Sequence, residues 1–256
     1  MAAPLNARPG MLLDPGAPIN SGLVGWWPMW EGAGGKCLDI SGKNNHGTLT
    51  NGPLWAGGGL KFDGVDDHVI APLVSSKVND FSFAFWLNVK VASDNRGAVF
   101  FNGSGANGYG FFAGSVDGTT TTEFVFLAQS LYWQNTNVGW TQNAWHHIVA
   151  TLDSSNVWRL YKDGALVFTS SPKTVLNTPT VDTTLGAEAA GAQTVDHSLD
   201  NVRMFDRVLS ADEVRRLYVN PNAGLWTPDY ARYYVAAAAG GADVRNHIIP
   251  AYYRAA

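Results

Sequence analysis

The chain has 256 residues, of which 46% are apolar and 15% charged, a composition that builds a packed core and excludes a disordered chain. Its net charge is −4 and its Lys and Arg are nowhere clustered, so the concentrated positive surface that phosphate backbones require is lacking and a nucleic-acid partner is excluded. The single cysteine, Cys37, cannot close an intrachain disulfide, and no apolar run approaches the ~18 residues of a membrane-spanning helix.

Residues 1–20 hold Pro4, Pro9, Pro15 and Pro18 with little apolar periodicity and read as an extended arm. The start of the chain lacks the basic residues and apolar stretch of a secretory signal, so synthesis in a cytoplasm is expected. Regular patterning starts at Gly22-Leu23-Val24-Gly25-Trp26-Trp27 and continues to residue 220, a length that β-sandwiches commonly fold as one domain. Strands are expected over 60–63, 68–71, 81–89, 98–101, 109–113, 123–128, 145–153, 157–162, 166–169, 183–187 and 198–205. In Phe81–Val89 the alternation puts Phe81, Phe83, Phe85, Leu87 and Val89 on one face and Ser82, Ala84, Trp86 and Asn88 on the other. Asp163-Gly164 is a hairpin signal, because both residues accept the positive φ of a type I′ turn. Ser210 followed by Glu213 spells a capping box, with Val214, Leu217 and Tyr218 as the helix's apolar stripe and Pro221 as its stop. Many short strands with turn residues between them, and one helix, predict an all-β antiparallel two-sheet sandwich with a short C-terminal helix. Residues 221–256 are apolar and aromatic without a clean period and cannot form a core alone. Trp226, Tyr230, Tyr233, Ile248, Ile249, Tyr252 and Tyr253 are the candidate contacts of this tail with other chains.

Catalytic motifs do not emerge. Gly103 to Gly108 spells G-x-G-x-x-G, but a strand pattern follows where a dinucleotide site needs a helix. His146 and His147 are strand neighbours and point to opposite faces, so they cannot share an ion. No strand carries the paired acids of a glycosidase; Glu123 and Glu188 stand alone, and Asp63, Asp66 and Asp67 sit in a Gly-containing turn. Tyr132, Trp133, Asn135 and Trp140 combine flat rings with amides, a set that suits a sugar as well as ordinary rim packing. The stretch from Asp39 to Gly47 supplies hard oxygen ligands for calcium from Asp39, Ser41 and Asn44; the same residue types also build Asx turns.

The order Gly25-Trp26-Trp27-Pro28, Asp39-Ile40-Ser41-Gly42-Lys43-Asn44-Asn45-His46-Gly47, Leu60-Lys61-Phe62-Asp63-Gly64, Phe81-Ser82-Phe83-Ala84-Phe85-Trp86, Trp145-His146-His147-Ile148-Val149, Tyr161-Lys162-Asp163-Gly164 and Leu199-Asp200-Asn201-Val202-Arg203-Met204-Phe205 resembles laminin-G-like, concanavalin A-like jelly-roll domains over about 22–219. The resemblance implies two stacked, curved antiparallel sheets and a module that binds glycans or proteins or packs into assemblies without catalysis. It also implies one structural calcium completed by Asp200. A module with an apolar, aromatic tail is similar to laminin-G-like proteins of tailed bacteriophages, which decorate virions. The expected function is therefore a virion-associated structural protein held to other chains of a large assembly, such as capsid protein. The alternatives are a free carbohydrate-binding module with surface glycans as partner and, more remotely, a glycoside hydrolase.

Overall fold

The computed structural model describes residues 11–90, 96–104, 106–114, 123–128, 132–188 and 193–226. In chain order the elements are β1 (Leu12–Leu13), a 3-10 turn (Pro18–Asn20), β2 (Leu23–Trp27), β3 (Lys36–Cys37), β4 (Gly47–Thr50), β5 (Leu54–Ala56), β6 (Gly59–Asp63), β7 (His68–Ala71) and β8 (Phe81–Val89). They continue with β9 (Gly97–Gly103), β10 (Gly108–Ala113), β11 (Phe124–Ala128), β12 (Tyr132–Asn135), β13 (Trp145–Leu152), β14 (Trp158–Lys162) and β15 (Ala165–Thr169). Last come β16 (Thr183–Leu185), β17 (Asp196–Phe205), the helix α1 (Ala211–Val219) and β18 (Leu225–Trp226).

Two antiparallel sheets stack into a sandwich. One runs β12-β11-β10-β9-β16-β7-β4-β3, the other β15-β14-β13-β8-β17-β6-β5, with β2 also pairing on β17. The core between them is the alternation of β8 made solid: Phe81, Phe83, Phe85, Leu87 and Val89 all point inward. Phe83 stacks on Phe100 of the opposite sheet at 4.9 Å, and Phe85 meets Phe111 edge-on at 5.4 Å. The Gly103–Gly108 stretch joins β9 to β10 as a hairpin, and Asp163 and Gly164 take φ of 52° and 81° at the β14–β15 turn, the expected I′ signs.

The outer face of the second sheet is covered by α1. Its capping box is formed, with Glu213 N donating to Ser210 Oγ and Ser210 N donating to Glu213 Oε2. Arg207 grips the same Glu213 through both carboxylate oxygens, at 2.7 and 2.9 Å. Val214 and Leu217 bury against Trp26, Ala84, Val149 and Phe205.

The boundaries expected at residues 20 and 220 are crossed by packing. Ile19 is buried in the layer beneath α1, with Leu13 and Ala17 against it. β1 pairs with β18, Leu12 opposite Trp226 and Leu13 opposite Leu225, and Asn20 Nδ2 donates to the carbonyls of Asp14 and Gly224. Residues 12–20 and 221–226 thus form one clasp on the sandwich. The clasp escapes a reading by period because a two-residue ladder has none, and its halves lie more than 200 residues apart in the chain.

Candidate functional site

Strand register builds a polar row beneath α1. Asp200 of β17 stands opposite Trp86 of β8, and Trp86 stands opposite His147 of β13, so all three side chains share the outer face. Next to Asp200 the β17–β8 register shifts, with Asn201 at φ 53°, which turns Asn201 toward the same side. There Asn201 Oδ1 accepts from Trp26 Nε1 at 2.6 Å. Arg203 follows, its guanidinium flat on the Trp26 ring. Its nitrogens donate to Asn201 Oδ1, Ala223 O and Pro221 O. Tyr218 closes the row from above, stacked on Trp86 at 5.8 Å. A small cavity remains, lined by Ala84, Trp86, His147, Asn201, Arg203, Leu217 and Pro221.

The electrostatics follow from burial. Burial drives the Asp200 carboxyl well above the usual carboxylate range, although Arg203 opposes the shift. It draws the Arg203 guanidinium down to about 9 and the His147 imidazole down to about 3, with Arg203 adding to the latter. Both carboxylate oxygens of Asp200, Nε1 of Trp86 and Nδ1 of His147 make no hydrogen bond to protein. Such a row keeps the Asp200 carboxyl and the His147 imidazole neutral beside the buried guanidinium of Arg203.

The calcium set does not assemble. Asp39 Oδ1 accepts from the N–H groups of Trp26 and Ser41, and Oδ2 accepts from Ser41 Oγ and Asn45 N, all at 2.8–2.9 Å. These four bonds fill the lone-pair positions of the carboxylate. Asn44 is exposed, at φ 60°. Asp39 and the backbone of Ile40 take up the N–H and C=O of Trp26 on one edge of β2, while Asp200 lies in the row beneath α1 beyond the other edge. The residues fit an Asx-turn hub and do not fit a calcium ion. Among the described residues the one group of three clustered acids is Asp63, Asp66 and Asp67, where Asp63 Oδ1 and Asp67 Oδ2 accept the N–H groups of Val65 and Asp63.

The aromatic candidates separate. Trp140 is buried in the inter-sheet core against Phe124. Trp133 pairs with Leu127 on the outer face of the first sheet and packs on the edge of Phe112 at 4.9 Å. Asn135 is half-buried, and Tyr132 occupies the first position of β12. Trp133 and Trp140 therefore cannot form one platform. In place of Trp140, Trp133 meets Arg96, whose guanidinium carbon lies 3.6 Å from the ring centroid. Arg96 Nε donates to Gln193 Oε1 at 3.3 Å, and Glu188 lies within electrostatic reach. No local motif announces this group, because its members come from four separate stretches of chain. Of the tail candidates, Trp226 is 56% exposed; Tyr230, Tyr233, Ile248, Ile249, Tyr252 and Tyr253 lie outside the described residues.

The family model described as the concanavalin A-like lectin/glucanases superfamily matches residues 63–215. The chain belongs to this superfamily. Comparison with curated protein sequences finds no match. Among solved structures, Trypanosoma rangeli sialidase in complex with sialic acid superposes with a TM-score of 0.62 at 17% identity, covering 78% of this chain and 33% of the sialidase. A mutant of HCR/D gives a TM-score of 0.63 at 13% identity, covering 79% of this chain and 52% of its own. The binding domain of Paraclostridial Mosquitocidal Protein 1 gives 0.58 at 14% identity, with 78% and 52% covered. The superfamily chain thus spans about a third of the sialidase and about half of the other two, and at these identities the likeness is one of fold.

Proposed function

We propose that this superfamily member is a non-catalytic binding and display module, associated with a virion or a comparable large particle. In this reading the sandwich is the displayed body, and the segments before residue 11 and after residue 226 attach it to other chains, capsid protein among them. The observation that carries the reading is the clasp. Because Leu12 pairs with Trp226, the first and last described residues of the sandwich lie together, beside an exposed tryptophan. One-point attachment leaves the rest of the body free for contacts with glycans or proteins. The non-catalytic half is supported by the sites themselves: the carboxyl of Asp200 is buried, and two of the clustered acids, Asp63 and Asp67, are tied into a turn by backbone N–H groups.

The test is the chain ended after Trp226, measured by thermal melting and by co-sedimentation with virions assembled in its presence. The shortened chain is expected to melt like the full chain and to stay in the supernatant. If it sediments with the particles as the full chain does, attachment runs through the sandwich and this reading fails. A free carbohydrate-binding module would show sugar binding together with no sedimentation of either form.

A further inference from the structure

We infer that Arg96, stacked on Trp133, is the carboxylate fork of a binding site for acidic sugars on the outer face of the first sheet; this rests on the binding half of the function proposed above. Trp133 differs from the rest of its cluster. Ala98, Phe101, Phe112, Val125 and Leu127 are each at most 2% exposed, whereas Trp133 is half-buried at the rim. β12 is also the last strand of its sheet, so the tryptophan sits where a ligand can approach from the side.

The stack fixes the guanidinium plane. A lone surface arginine samples many rotamers, but one lying 3.6 Å over an indole and held at Nε by Gln193 has its orientation set in advance. With Nε spoken for, the Nη1 and Nη2 edge donates to no described residue and presents two parallel N–H bonds, the geometry that a carboxylate accepts bidentately. Glu188 makes no ion pair with Arg96 among the described residues, yet lies close enough to feel it. Its carboxyl and the amide of Gln193 are groups suited to sugar hydroxyls. The ring of Trp133 serves as the support on which the guanidinium lies. Amide and acid beside the fork favour a carboxylate carried on a sugar over a bare anion, which would have no use for them.

The experiment is titration calorimetry of the full chain with D-glucuronate, D-glucuronamide and acetate, and with a short Asp-rich peptide, repeated on Arg96→Gln, Arg96→Lys and Trp133→Phe. Glucuronate is expected to bind at least about tenfold more tightly than the isosteric amide, since only the carboxylate can use the charged fork. Arg96→Gln should remove that preference with an unchanged melting curve, and Arg96→Lys should keep part of the affinity as a point charge without the fork. Equal binding of glucuronate and glucuronamide, or full affinity in Arg96→Gln, would overturn the fork. Acetate or the peptide binding as tightly as glucuronate would overturn the sugar class, and no glucuronate binding would overturn the site. Co-sedimentation of Arg96→Gln with virions reads the attachment role separately, and it should be unaffected.

Discussion

The guanidinium carbon of Arg203 lies 3.7 Å from the ring centroid of Trp26, while its nitrogens reach the carbonyls of Pro221 and Ala223. One side chain of β17 thus ties β2 to the chain that follows α1. Deleting it leaves the Ala223 carbonyl without this donor and Trp26 without its cover, while Pro221 O keeps Asn201 Nδ2. Arg203→Ala is expected to cost on the order of 3–5 kcal/mol in urea unfolding. Arg203→Lys should recover only part, since an ammonium cannot lie flat on the ring while serving both carbonyls. An Arg203→Ala variant as stable as the parent would show that the clasp is held by other contacts.

Chain length separates clasp from body. Ending the chain after residue 226 leaves every described contact in place. Ending it after residue 220 removes Pro221 O, Ala223 O and the β18 strand, stranding Asn201 Nδ2 and two nitrogens of Arg203. The shorter form should melt several degrees lower, by about 2–4 kcal/mol of lost stability. Identical melting of the two forms would show that residues 221–226 add nothing to the stability of the sandwich.

Phe85 sits between Phe83, parallel at 6.1 Å, and Phe111, edge-on at 5.4 Å. Phe85→Ala is expected to cost about 3–5 kcal/mol, the loss for a large ring removed from a core that cannot collapse around the cavity. A small shift in the denaturant midpoint would mean that the core refills.

Two buried histidines set an acid limit. Burial lowers His147 to about 3 and His197 to about 4. The unfolded chain takes up these protons from about pH 6.5 downward and the folded chain does not. The stability that each neutral ring contributes is therefore complete above pH 6.5 and is lost at about 1.4 kcal/mol per pH unit per histidine as pH falls toward the folded values. The raised carboxyls of Glu31, Glu188 and Asp200 act in the opposite sense, so the readout is a difference. The stability gap between parent and His197→Asn should narrow as pH drops from 7 to 5. A gap that stays constant with pH would show that the imidazole is solvated in the native state.

Asp39 organises its loop with its own oxygens. Asp39→Ala should cost roughly 2–4 kcal/mol, because Trp26 N and Ser41 N lose their common acceptor. Chelator should leave the melting of the parent unchanged; a drop reversed by added calcium would restore the metal-site reading.

The sandwich was legible because β8 states its inner face by strict alternation, and because the Asp163-Gly164 turn and the Ser210–Glu213 cap are local devices that short sequence windows contain. Asp200 was legible as a residue of interest but not as to its role: the same Asp serves a metal or a buried row, and only register places it opposite Trp86. Trp133 and Trp140 read as one cluster because they are close in sequence, whereas the strand end between them sends one outward and one into the core. Arg96 was invisible, since its significance lies wholly in the ring it covers.

The pairing of Leu12 with Trp226 has a mechanical consequence. Tension applied through residues 11 and 227 pulls on the open end of an antiparallel ladder, so its bonds load one after another instead of together. Under load the clasp would peel back as far as Arg203 before any strand of the sandwich carried force, giving the sandwich a short, recoverable tether.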